Sequence, residues 1–204
     1  MKILLCAATV FEAGACQKAI QRAGASTSAS VLKTGMGGER AALVLTRALE
    51  SAIASGARPA RVISTGFAGS RRQDLKIGDV ITARKVSFEG RSIEIDLAEI
   101  EPRASFCEVA LQQVSEVMGA KNQAEAEAID MESYSLAGVA ARFQIPFSVI
   151  RMISDDPEHP IPEGGWLAIV RSPLSLAKFL ARSSGLPLKL ANFWERLLKQ
   201  GFSG

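Results

Sequence analysis

Three acids stand at points where an apolar run gives way to a helix or a loop. Ala128-Ile-Asp-Met-Glu-Ser133 places Glu132 where an apolar segment ends and a helix begins. Val149-Ile-Arg-Met-Ile-Ser-Asp-Asp156 is a β-branched run that stops at Ser154, Asp155 and Asp156. Glu12 follows the first apolar run of the chain. In an open α/β sheet, ligands bind outside the carboxyl ends of the strands. Carboxylates delivered there from neighbouring elements suit chemistry on hydroxyls and protons.

Each acid has a structural and a chemical reading. Glu12, near the start of a helix, is stabilised by the helix dipole or serves as a general base for water. Glu132 is a helix-terminal acid, or a carboxylate whose two acceptor oxygens hold adjacent sugar hydroxyls. Asp155 caps the next segment, or donates a proton to a leaving group from a partly buried position. Arg151, within the strand, orients a carboxylate or pairs with one structurally. His159 reads as a loop residue. Two glycine loops accompany the acids. Thr34-Gly-Met-Gly-Gly38 follows a strand and opens a helix, without the dinucleotide fingerprint spacing. Thr65-Gly-Phe-Ala-Gly69 reads as a second tight loop where backbone approaches a flat ligand.

The elements that must carry these residues alternate. Strands are expected over Lys2–Ala8, Thr27–Lys33, Arg61–Ser64, Val80–Val86, Ser92–Leu97 and Pro146–Ile153. Helices are expected over Glu12–Arg22, Glu39–Ser55 and Met131–Phe143. Val109–Val117 fits either type, Lys121–Ala128 a short helix, and Pro157–Gly165 a loop. The rest is helical, broken around Gly185 and Pro187. Strands alternating with helices imply a single-domain α/β/α sandwich with a central mixed sheet over residues 1–204, ending in a helical tail of about 172–200.

Composition narrows the function classes. The 204 residues are 48% hydrophobic and 22% charged, ordinary for a globular protein with a sizeable core. The net charge of +3 comes from dispersed basic residues, which points away from nucleic acid. Three cysteines without CxxC spacing point away from disulfides and zinc, and a single histidine away from a histidine metal site or Ser-His-Asp triad. No metal and no cofactor is expected. The run from Ile3 to Phe11 starts too near the first residue for a signal peptide and reads as a buried strand. No segment reaches membrane-spanning length. A reducing cytoplasm is the expected compartment.

Taken together, the ordered motifs resemble the nucleoside phosphorylase and nucleosidase superfamily, with the nearest likeness to methylthioadenosine/S-adenosylhomocysteine nucleosidases. The matching pieces are Met1-Lys-Ile with Glu12, Thr34-Gly-Met-Gly37, Ser64-Thr-Gly-Phe-Ala-Gly69, Leu75-Lys-Ile-Gly-Asp-Val80, Asp130-Met-Glu-Ser133 and Ile145-Pro-Phe through Asp155. The resemblance implies that Asp155 protonates a purine at N7 and that Glu132 binds the ribose hydroxyls with Met131 packed on the sugar. It further implies that Glu12, helped by Arg151, activates water, and that Met36 lines the ribose side. Phe67 and Ser154 complete the expected substrate contacts.

Phosphorylases of the superfamily hold phosphate with an Arg and a Ser or Thr around the second glycine loop. Ser64 and Phe67 stand there, so water is the expected nucleophile. The segment from Val86 to Ile129 is shorter than in the methylthioadenosine enzymes. The tail from Arg171-Ser-Pro to Leu198 is similar to hopanoid-associated phosphorylases, and Ala8-Thr-Val-Phe-Glu-Ala13 to futalosine hydrolases. The expected function is therefore cleavage of the N-glycosidic bond of a purine nucleoside by a homodimer. The alternatives are a phosphate-dependent phosphorylase of the hopanoid-associated type, a futalosine hydrolase, or a non-catalytic nucleoside-binding protein. The tail's apolar residues, including Leu174, Leu176, Phe179, Leu186, Leu188, Leu190 and Phe193, either pack on the domain or partner or form a lipid-facing groove.

Overall fold

The first strand, β1 (Ile3–Ala7), shows how the layers arise. Its side chains alternate between two faces. Ile3 and Leu5 enter one core and Cys6 another, with Leu4 packed against the second. A computed structural model describes residues 2–95, 106–115, 126–159 and 184–200. Among these, the elements after β1 are α1 (Val10–Ala23), β2 (Ala29–Lys33), α2 (Gly38–Ala54), β3 (Arg61–Ser70), β4 (Val80–Phe88) and β5 (Arg91–Glu94). There follow β6 (Cys107–Gln113), β7 (Ala128–Asp130), α3 (Ser133–Arg142), β8 (Phe147–Asp155) and α4 (Leu186–Lys199).

The strands form one mixed sheet, ordered β2-β1-β3-β7-β6-β4-β5, with β8 paired to both β3 and β4. The path β3-β8-β4-β6-β7 therefore returns to β3, and β1–β2 and β5 extend from it. β1, β2, β3 and β8 run parallel, while β4 is antiparallel to β8. Helices α1 and α4 cover one face through Ala15, Cys16, Ala19 and Ile20 against Leu190, Phe193, Trp194 and Leu197. Helices α2 and α3 cover the other through Ala41, Leu45 and Leu49 against Leu136, Val139 and Ala140. A third cluster, including Ile81, Val109, Leu111, Val149 and Ile153, joins β4, β6 and β8. The expected α/β fold with a mixed central sheet between helices is the observed one. Among the described residues, no helix is long and apolar enough to cross a membrane.

Three local expectations are changed or settled. β3 does not end at Ser64; Thr65 to Gly69 continue it as strand, paired with β8 and then β7. Val109 and its neighbours are strand, with β6 starting at Cys107. Ala128, expected to end a short helix, opens β7, whose position between β3 and β6 makes it strand; residues 121–125 lie outside the described residues. At the expected break, Gly185 is the N-cap of α4 and Pro187 stands in its first turn, where Pro lacks only an N–H that has no helical partner; residues 160–183 before it lie outside the described residues. In the tail, Leu186, Leu190 and Phe193 pack onto α1, and Leu188 is exposed. Leu174 to Leu180 and the loop from Pro160 lie outside the described residues.

Candidate active site

Glu12 owes its position to the start of α1. Thr9 is the N-cap, and the two residues form a reciprocal capping box. The Thr9 backbone N–H and hydroxyl donate to Glu12 Oε2 at 2.7 and 2.8 Å. The other oxygen, Oε1, accepts the backbone N–H of Phe67 at 2.8 Å. Glu12 is only 3% exposed, yet three donors satisfy it. An ionised carboxylate has about four acceptor positions, so donors among the described residues leave one of them. Gly66 makes this approach possible. It has φ +128°, and a Cβ there would fall on the Glu12 carboxylate.

Arg151 reaches the same place from β8. It pairs with Gly66 in the sheet, and its Nη1 donates to the Phe67 carbonyl at 3.1 Å. The Phe67 backbone thus holds Glu12 through its N–H and Arg151 through its C=O. Arg151 Nη2 lies 2.6 Å from Asp130 Oδ2, 3.3 Å from Glu132 Oε2 and 2.9 Å from Ser64 Oγ. Asp130 in turn accepts the Ser133 backbone N–H at 3.1 Å and the Ser133 hydroxyl, which caps the start of α3.

Glu132 follows β7 directly. Its Oε1 accepts the backbone N–H of Gly37 at 3.0 Å, from the loop that opens α2. Two helix N-termini, those of α2 and α3, therefore meet at this carboxylate. Burial nevertheless raises its pKa from the ordinary carboxylate range to about 7; the Arg151 charge opposes this and Asp130 adds to it. Burial would lower the pKa of Arg151, but the charges of Asp130, Glu132 and Glu12 hold it above its ordinary value. Three buried carboxylates thus surround one buried guanidinium.

Asp155 lies at the end of β8. The register with β3 shifts there, so that Ala68 faces Ile153 and Gly69 faces Asp155. Ser154 is the extra residue, as in a β-bulge. A Cβ on Gly69 would sit 2.7 Å from Asp155 Oδ2. The Ser154 hydroxyl lies 2.7 Å from Asp155 Oδ1 and 3.3 Å from the Ala68 carbonyl. Gly66 and Gly69 are three residues apart, so Glu12 and Asp155 address β3 within roughly 10 Å of one another. Asp155 is half-buried, unlike the Glu12–Arg151 group.

Residues 8–122 and 104–166 match the family model described as the phosphorylase superfamily. The chain belongs to this superfamily of enzymes. The 5′-methylthioadenosine/S-adenosylhomocysteine nucleosidase of Haemophilus ducreyi is 28% identical over 163 residues, 64% of this chain and 68% of that protein. The fold is shared with the nucleosidase of the same name from Helicobacter pylori, solved with butyl-thio-DADMe-Immucillin-A. There the TM-score is 0.70 and the identity 19%, with 98% of each chain covered. It is also shared with futalosine hydrolase of Helicobacter pylori, at TM-score 0.67 and 18% identity, again over 98% of each chain.

For this superfamily member, Glu12, Arg151, Glu132 and the Phe67 backbone form one connected group. The Phe67 side chain packs against the α1–α4 core. Met131 is half-buried between Asp130 and Glu132, and Met36, beside Gly37, is 46% exposed. Arg151 makes no hydrogen bond to Glu12; the two meet through Phe67 and through charge. Asp130, Ser64, Ser133 and Thr9 belong to the site without having been singled out as its members. The Thr9-x-x-Glu12 capping pattern and an acid three residues before a helix start were legible signals for two of them. Among the described residues, Asp156, Glu158 and His159 place ligand-type atoms within 4.8 Å of one another, with only Asp156 buried. They bond each other in the turn that closes β8.

Proposed function

We propose that this enzyme hydrolyses the N-glycosidic bond of a purine nucleoside. Asp155 gives a proton to the departing base, Glu132 holds the ribose hydroxyls, and Glu12 takes a proton from the attacking water. Met36, Met131 and Ser154 contribute to the substrate pocket. The observation that carries this proposal is the sign of the buried charge. Among the described residues, Glu12, Asp130 and Glu132 face a single cation, Arg151. Such a cluster favours a sugar that becomes cationic as the bond breaks. The same cluster repels an incoming phosphate dianion, and Arg151 Nη2 is already engaged by Asp130 and Glu132. Water meets neither obstacle. The nucleosidases this chain is similar to support a 5′-substituted adenosine as the first substrate to try.

The test is base release from methylthioadenosine, S-adenosylhomocysteine, adenosine, inosine and futalosine, each with and without phosphate. Release without phosphate, unchanged when phosphate is added, is the expected result. Release only with phosphate would move the enzyme to the phosphorylases, and preference for futalosine would replace the adenosine assignment. Ligand-induced stabilisation without turnover of any nucleoside would leave a binding protein.

A further inference from the structure

The C-terminal helix reaches the catalytic group through one hydrogen bond. Trp194 of α4 is fully buried, and its indole Nε1 donates to the Thr65 hydroxyl at 2.9 Å. Thr65 is the last residue of β3 before Gly66 turns to φ +128°, and Phe67, one residue further, holds Glu12 by its N–H. From the other side, the buried Cys16 of α1 lies close enough to Thr65 for the threonine to oppose the upward shift of its thiol. Cys16 lies one turn after Glu12 on α1, and so on the same face of that helix. Burial, and then the Glu12 charge, push this thiol up to about 12, so it remains neutral. Three elements therefore converge on one buried hydroxyl: the helix that bears Glu12, the strand that orients it, and the tail.

We propose that Trp194 is a positioning residue for Glu12, acting through Thr65 to fix the turn of β3 at which the Phe67 N–H meets the carboxylate. Packing alone would be met by any large ring, because the Trp194 surroundings on α1 and α4 are apolar. The indole N–H adds direction. It sets the rotation of the Thr65 side chain, and the next residue has no free space, since Glu12 and Arg151 crowd the position of a Gly66 Cβ. A displacement of β3 here moves the Phe67 amide relative to Glu12.

This inference rests on Glu12 as the base that activates water, and two readouts separate the claims. The first is steady-state base release from methylthioadenosine by Trp194→Phe, Thr65→Val and Thr65→Ser. Trp194→Phe and Thr65→Val are expected to lower kcat roughly 10- to 100-fold with KM within about twofold, because small misplacements of a reacting group cost rate rather than binding. Thr65→Ser keeps the hydroxyl and retains wild-type kcat. Their double mutant falls no further than either single variant. The second readout is hydrogen exchange of the Phe67 amide, which needs no turnover. It is expected to quicken by about tenfold or more in Trp194→Phe and Thr65→Val, and not in Thr65→Ser. A folded Trp194→Phe with wild-type kcat, or unchanged Phe67 protection in both variants, overturns the proposal; Thr65→Val decides if Trp194→Phe does not fold. If the wild-type protein releases no base from any nucleoside, the hydrolase assignment falls, and Phe67 protection alone decides whether Trp194 positions Glu12.

Discussion

The two ends of the candidate site are built on opposite principles. Around Arg151, every charged group is buried and tied: Asp130 and Glu132 to the guanidinium, Glu12 and Arg151 to the Phe67 backbone, Glu132 to Gly37. Around Asp155 the acid is half-buried on a bulge, with the Ser154 hydroxyl beside it. The proposed roles of the two ends account for the difference. A group that holds charge opposite a developing cation gains from rigidity, because it need not reorganise during the reaction. A group that donates and recovers a proton once per turnover needs exchange with solvent or substrate. Within one sheet, glycines at positions 66 and 69 admit both carboxylates against the same strand.

The comparison predicts that activity and stability separate between the two ends. Asp155→Asn removes the proposed proton donor and little packing. Base release is expected to fall by roughly 10²–10⁴-fold, the usual contribution of general acid catalysis, with the melting temperature nearly unchanged. Release from methylthioadenosine followed alongside thermal unfolding checks this. An Asp155→Asn protein that retains most of its activity would remove Asp155 from the mechanism and leave the buried cluster as the whole site.

Arg151→Met should do the reverse to stability. It strands Asp130 and Glu132 in the interior without their cation, which typically costs about 3–5 kcal/mol. The deficit should be largest at high pH. Without Arg151, the charge that opposes the burial of Glu132 is gone, so this carboxylate is harder still to ionise in the folded state than when unfolded. The folded variant then binds more protons, so its stability rises relative to wild type as pH falls. Urea unfolding at pH 8 and pH 5 measures this. A loss below about 1 kcal/mol, equal at both values, would mean that water reaches the cluster and that the two ends are not so different.

The layers of the fold were legible because periodicity speaks for them. Ile3 and Leu5 against Cys6, and the apolar spacing of α1 and α2, place side chains on faces without any long-range information. The placement of the acids was legible as well, since each stands at a junction of elements. What misled was glycine. Gly66 and Gly69 read as turn residues, yet they lie in a continuous strand and are small because Glu12 and Asp155 occupy the space of their side chains. A sequence shows that glycine is present but not which of its two uses applies. Asp130 went unnoticed for a related reason. It looks like an ordinary helix-flanking acid, and it does cap Ser133, but its second bond, to Arg151, depends on β7 and β8 both lining β3.

The finest test of the comparison is Glu132, the buried acid proposed to hold the ribose hydroxyls. In that role it must be ionised to accept two hydroxyls, yet burial raises its pKa to about 7 despite Arg151. With one essential deprotonation, kcat/KM should fall about tenfold per pH unit below this value, through KM more than kcat. The stability consequence has the opposite sense. A carboxylate whose folded pKa lies above its unfolded value contributes stability below pH 4.5, and this is lost as pH rises through about 7. The wild-type protein should thus bind substrate better and resist unfolding less as Glu132 ionises. Glu132→Gln should flatten both trends in that window, with weaker substrate binding at pH 8. If the acid limb of kcat/KM persists unchanged in Glu132→Gln, the titrating group is elsewhere, and Asp155 becomes the first to examine by the same pair of curves.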